Sequence, residues 1–336
     1  MARRPDWSVG SGEGSLTFER VVAGALLRDG GAVIADGGRA EHLVLISGTG
    51  EVRAILGRRG KGPGEFEDIG GITVLGGDTI CVQDFGNQRL SLFSGASFVR
   101  DVPLRQEGNL TLLGVDDTGR LLMGMPLGTY FGRQKTLWRK VPLVRWGPAE
   151  VHADTLTEVD WRRFEGANLI RMWGFAVLSN GRFVVGRGDI PELRWLGMDG
   201  QPKQILRWHD APRPLTDGDK SRLEVAYKAV MSQYVPRAEL QHALPMLFDQ
   251  THGPLPLFAG LMADDRDNIW VELYRLPYTS DLVRYNVVSA EGNWIRSVTV
   301  GPGDRFTLLA IRAGRLLVRQ RDTLGVQSVG VYEVHQ

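Results

Sequence analysis

Arg58, Arg59 and Lys61 stand together in the glycine-rich run GRRGKGPGEF (Gly57–Phe66), the arrangement most suggestive of anion chemistry in the chain. A nucleotide-binding loop of the Walker A kind needs Lys followed by Ser or Thr, set between a strand and a helix. Here Lys61 is followed by Gly62 and Pro63 and then by the apolar run ITVL, so the loop is not read as a phosphate cradle. It is read as a connection between strands, with Phe66 as an apolar plug and three cations available to an acidic partner.

Other chemistry-bearing residues are dispersed. The six histidines (His42, His152, His209, His242, His252 and His335) show neither H-x-H nor H-x-x-x-H spacing. Asp36, Asp84 and Glu272 each close an apolar run, but Met125, Arg187 and Gln320 hold the corresponding places elsewhere, so no ring of ligands is predicted. No G-x-S-x-G elbow is present, and His209–Asp210 and Asp249 near His252 read as local loop pairs. The single cysteine, Cys81, lies in ITVLGGDTICVQD and is expected to be a buried thiol, which excludes an intramolecular disulfide framework. No catalytic residue and no metal ligand is therefore assigned. No cofactor is predicted, with a divalent cation at a central channel left open.

The 336 residues carry a formal net charge of +1, so bulk attraction to nucleic acid is not expected. No run approaches the roughly 20 apolar residues that span a bilayer. The first residues, MARRPDWSVGSGEGS, lack the apolar core of a signal peptide. As written the chain reads as cytoplasmic or peripheral to a membrane, and as periplasmic if a leader has been removed.

The elements that must position these residues are strands. Turns rich in Gly, Asp and Asn recur at Arg28–Gly31, Leu75–Asp78, Asp116–Gly119, Ser179–Gly181, Asp264–Asn268 and Arg312–Gly314, each between apolar runs. Gly, Asn and Asp supply the positive φ angles of tight hairpins. Where nothing is inserted the period is about 40–50 residues, that of four-stranded propeller blades. The fold class expected is all-β: a six-bladed β-propeller in one domain over 15–336, preceded by an arm over 1–14. The last unit lacks a fourth strand, and SLTFERV (Ser15–Val21) is expected to complete it and close the ring.

Three segments break the pattern: Arg58–Gly64, Trp161–Gly174 and His209–Phe248. In the last, Leu223, Ala226, Tyr227, Val230 and Tyr234 recur at helical spacing, with Asp217 or Asp219 as cap, and Pro236 opens a second short helix. A helical insertion at about 216–248, between blades 4 and 5, follows. All three segments join the outer strand of one blade to the inner strand of the next, so they emerge on one face of the disc. That face is the expected binding surface. The candidate partner-binding residues are Arg58, Arg59, Lys61, Trp161, Arg162, Arg163, Trp173, Tyr227 and Tyr234, with Trp and Arg favoured as interface anchors.

GPGEF followed by VQDFGNQRLSLF resembles the NHL-type repeat, over Gly60–Phe93 and more weakly over Ile34–Ser47. The resemblance implies a bacterial six-bladed propeller. It also implies a protein partner, since some such propellers serve as membrane-extrinsic subunits that brace larger assemblies, including photosynthetic complexes. A non-enzymatic scaffold or interaction module is the preferred reading. The alternative is a lyase or hydrolase acting at the channel mouth, with or without a metal, as in NHL-type lyases and related hydrolases.

Overall fold

The computed structural model describes residues 4–10, 16–104, 110–116, 118, 120–126, 138–147, 153–162, 173–177, 181–232, 236, 239–241 and 254–334. Six antiparallel sheets of four strands form a ring, each sheet a blade with strands a to d running outward. Strands a are Arg20–Leu26, Ile69–Val74, Leu110–Val115, Trp173–Val177, Phe258–Ala263 and Phe306–Arg312. Each touches the next, and the sixth touches the first, so the ring is closed. Strands b are Ala32–Gly37, Thr79–Asp84, Leu121–Pro126, Phe183–Arg187, Ile269–Leu273 and Arg315–Arg321. The expected turns at Arg28–Gly31, Leu75–Asp78, Asp264–Asn268 and Arg312–Gly314 join a strand a to its strand b, and those at Asp116–Gly119 and Ser179–Gly181 lie partly outside the described residues.

Burial follows position in the blade. Ala32–Gly37 is buried at every residue because neighbouring blades cover both faces of the sheet, hence its continuous apolar run rather than an alternating one. The outer strand Val52–Leu56 has a single buried residue, Leu56. Apolar clusters fill each of the six joints between blades. Phe66, for example, is fully buried with Ala35, Leu45, Ile80 and Phe93 between blades 1 and 2. Trp270 packs with Val283, Val318 and Tyr332 between blades 5 and 6, the role its setting in DNIWVEL suggests.

Closure uses an N-terminal strand, but not Ser15–Val21. Trp7–Val9 pairs with Gln327–Glu333, placing Trp7 opposite Val331, and so becomes strand d of blade 6. Arg20–Leu26 instead opens blade 1. Trp7 is chosen because its ring is buried at the joint of blades 6 and 1 with Phe18, Ile46 and Leu317. Gly50, at φ +88°, leaves room for it: a Cβ there would stand 2.7 Å from Trp7 Cβ.

Between blades 4 and 5 the helix α1 spans Asp217–Met231. Its cap is Thr216, whose hydroxyl accepts from Asp219 N–H at 3.1 Å while the Asp219 carboxylate accepts from Thr216 N–H at 3.0 Å. Asp219 thus completes a capping box rather than serving as the cap itself. Residues 239–241 are also helical, with Leu240 buried.

Candidate functional site

Because adjacent strands run antiparallel, the d-to-a connections and the b-to-c bends share one face, which also rims the central channel. The basic loop on this face is built from within. Phe66 N–H donates to the Arg58 carbonyl and Gly60 N–H to the Phe66 carbonyl, both at 2.9 Å, closing the loop on itself. Gly57, at φ +71°, lies so close to the Phe66 ring that a Cβ would approach it to 2.4 Å.

Blade 2 holds the loop from below. Asn87 donates from Nδ2 to the Gly60 carbonyl at 2.9 Å. Arg89 donates to the carbonyls of Lys61, Gly62 and Glu65 at 3.2, 2.6 and 2.7 Å and pairs with Asp101 at 2.9 Å. Asp84 accepts from Glu67 N–H at 3.1 Å and Asp68 N–H at 3.0 Å. In blade 1, Asp36 repeats this contact with Glu19 N–H at 3.1 Å and Arg20 N–H at 2.7 Å. Both carboxylates therefore tie an incoming strand a to the end of strand b. Glu272 in blade 5 instead accepts from Tyr285 Oη–H at 3.3 Å, and burial first, then that carboxylate, pushes the Tyr285 phenol upward.

The loop cations are exposed and internally engaged. Arg58 Nε lies 2.8 Å from Glu65 Oε1, which holds the Glu65 carboxyl below its ordinary range. Arg59 donates to the Gly38 carbonyl at 2.8 Å, and Lys61 Nζ stands 3.7 Å from Glu67. Tyr227, on α1, packs edge-on against Tyr278 with centroids 5.5 Å apart. The blade 1–2 and blade 4–5 connections lie three blades apart, so these residues flank the channel from opposite sides and do not form one pocket.

Trp161 and Trp173 do not belong to an insertion. Trp161 and Arg162 end strand d of blade 3, opposite Arg139 and Trp138, and Trp173 begins strand a of blade 4, opposite Arg187. Backbone pairing within the neighbouring sheets claims both ends of the segment. Arg163 and Tyr234 lie outside the described residues. Among the described residues no three His, Cys, Asp or Glu side chains gather as for a metal ion, and no helix is long and apolar enough to cross a membrane.

A second feature of this face had no signal in the sequence. Between the blade 4–5 insertion and the bend after strand b of blade 5 lies a groove of about 400 Å³. Arg213, Arg222, Arg275 and Arg284 line it together with Asp210 and Asp281. Arg213 grips Asp219 as a fork, at 2.5 and 3.0 Å, and Arg222 pairs with Asp281 across 59 residues of sequence. The first pair ties the start of α1 to the preceding loop, and the second ties the helix to blade 5.

No protein-family model and no curated protein sequence matches the chain. Solved structures do match in fold. A Bacteroides fragilis protein described as exported aligns over 96% of this chain and 93% of its own, with TM-score 0.54 and 10% identity. A member of the DUF4221 family from Bacteroides vulgatus aligns over 96% and 95%, also with TM-score 0.54 and 10% identity. Regucalcin, a calcium-binding protein from Agrobacterium tumefaciens, aligns over 96% and 94% with TM-score 0.47 and 12% identity. At such identities the first two likenesses speak for the propeller fold alone.

Proposed function

We propose that this propeller is a non-enzymatic interaction module that docks a protein partner through the insertion-bearing face. The observation that carries the reading is the mounting of α1. The Arg222–Asp281 pair and the Tyr227–Tyr278 contact fix the helix to blade 5, while a capping box and the Arg213–Asp219 fork hold its start to the preceding loop. Its outward side still presents Val225 at 70% exposure. A rigid, projecting helix loses little conformational entropy on docking. We read blades 1 and 2 as diverged NHL-type units, since Asp84, Asn87 and Arg89 all serve the glycine-rich loop. In this reading a membrane complex is a suitable partner, with the propeller as its extrinsic subunit.

Lysine cross-linking in a native extract tests the assignment of the face. Lys61, Lys220 and Lys228 lie on the insertion-bearing connections, whereas Lys203 lies on an outer strand beside a c-to-d turn. Cross-links to one partner through the first three, lost in Val225→Asp at unchanged Tm, are expected. A partner reached through Lys203 instead, or stoichiometric metal with turnover of a small substrate, would overturn the reading.

A further inference from the structure

We propose that the arginine-lined groove between the blade 4–5 insertion and blade 5 is a binding site for an oxyanion, a carboxylate or phosphate group. The charges in it are not equivalent. Arg213 and Arg222 are each matched by an aspartate, Asp219 and Asp281. Arg275 and Arg284 make no ion pair among the described residues, while Asp210 already accepts from Ala211 N–H at 2.9 Å. The groove therefore holds two guanidinium groups beyond those that its internal pairs consume and, with the Asp210 carboxylate counted, an excess of one positive charge.

The position of Arg275 is built rather than incidental. It sits on the bend between strands b and c of blade 5, and its guanidinium lies against the bare backbone of Gly303, where a Cβ would meet Cζ at 2.3 Å. The bend is held in turn by Gly303 N–H donating to the Asp281 carbonyl at 2.9 Å. Arg275 Nε is shielded from solvent and has no acceptor among the described residues. A buried donor left unmatched is costly, and a planar guanidinium meets a carboxylate or phosphate through two parallel hydrogen bonds. Arg284 is exposed on strand c and lines the same groove. A volume of about 400 Å³ suits a small acid or the side chains of an acidic segment. The site needs only this groove and does not depend on the docking reading above.

Calorimetric titration at low ionic strength tests it, with inorganic phosphate, succinate and a short glutamate-rich peptide as probes. Saturable binding with one site per chain is expected for at least one probe. Arg275→Gln and Arg284→Gln should each weaken it about tenfold or more. Arg100→Gln, exposed on the outer strand of blade 2, should leave it unchanged. Should Arg275→Gln fail to fold, the exposed Arg284→Gln still decides the matter. Binding of phosphate or succinate marks a free small anion as the ligand; binding of the peptide alone marks carboxylates presented by a protein. No saturable binding of any probe would overturn the proposal, as would groove variants that bind like the wild type or equal weakening by Arg100→Gln.

Discussion

Arg213 and Asp219 meet as a two-pronged fork, Nη1 to Oδ2 at 2.5 Å and Nη2 to Oδ1 at 3.0 Å, although one precedes α1 and the other lies in its first turn. The same carboxylate accepts from Thr216 Oγ1–H at 2.7 Å. One buried side chain thus starts the helix and fastens it to the preceding loop.

Asp219→Asn should loosen the start of α1 by about 1–2 kcal/mol, the scale of a charge-assisted bond whose arginine is half exposed. Faster amide exchange over 217–231, with the blades unchanged, is the readout. The Arg213 guanidinium holds the Asp219 carboxyl well below the usual carboxylate range. Its contribution is therefore complete above the unfolded value of about 3.9 and fades as pH falls toward the lower folded value. In Asp219→Asn that acid-limb loss should be absent.

Arg89 is the anchor of the basic loop, and its side chain and that of Asp101 are both largely buried. Arg89→Met should cost about 3 kcal/mol, because Asp101 and three loop carbonyls lose their donor together. Limited proteolysis should then cut within 57–66. Arg58→Met, which removes only an exposed pair, should leave the denaturation midpoint nearly unchanged and the loop resistant.

Cys81 is fully buried, and burial alone raises its thiol to about 12. At pH 8 the native protein should not react with a thiol-specific reagent, and one thiol should titrate once it is denatured. Rapid reaction of the folded chain would show that the joint of blades 2 and 3 opens.

Trp7 closes the ring. Trp7→Ala should cost about 3–5 kcal/mol, the price of a large buried aromatic, read as a lower denaturation midpoint. Detaching this strand also bares the edge of blade 6, so concentration-dependent association is expected with it. A variant as stable as the wild type would mean that closure rests on other contacts.

Local features of the sequence determined the blade plan. The six turns announce themselves through Gly, Asn and Asp because positive φ is a property of a single residue, as at Gly30 (+82°), Asp267 (+61°) and Gly314 (+72°). The glycine-rich loop, the Phe66 plug and the helical insertion were legible for the same reason, since packing geometry and cap chemistry lie within a few positions. The closing strand was not. Trp7–Val9 is three residues long, too short for any period to show, and its partner Val331 lies at the far end of the chain. Trp161 and Trp173 looked like insertion residues until pairing with Arg139 and Arg187 drew them into sheets. The groove was decided by tertiary structure alone. Arg213 and Arg222 come from the insertion, Arg275 and Arg284 from blade 5, and only the packing of the insertion on blade 5 sets them around one cavity. That packing joins side chains 59 positions apart in the sequence, so no short stretch of sequence can encode where the two loops meet.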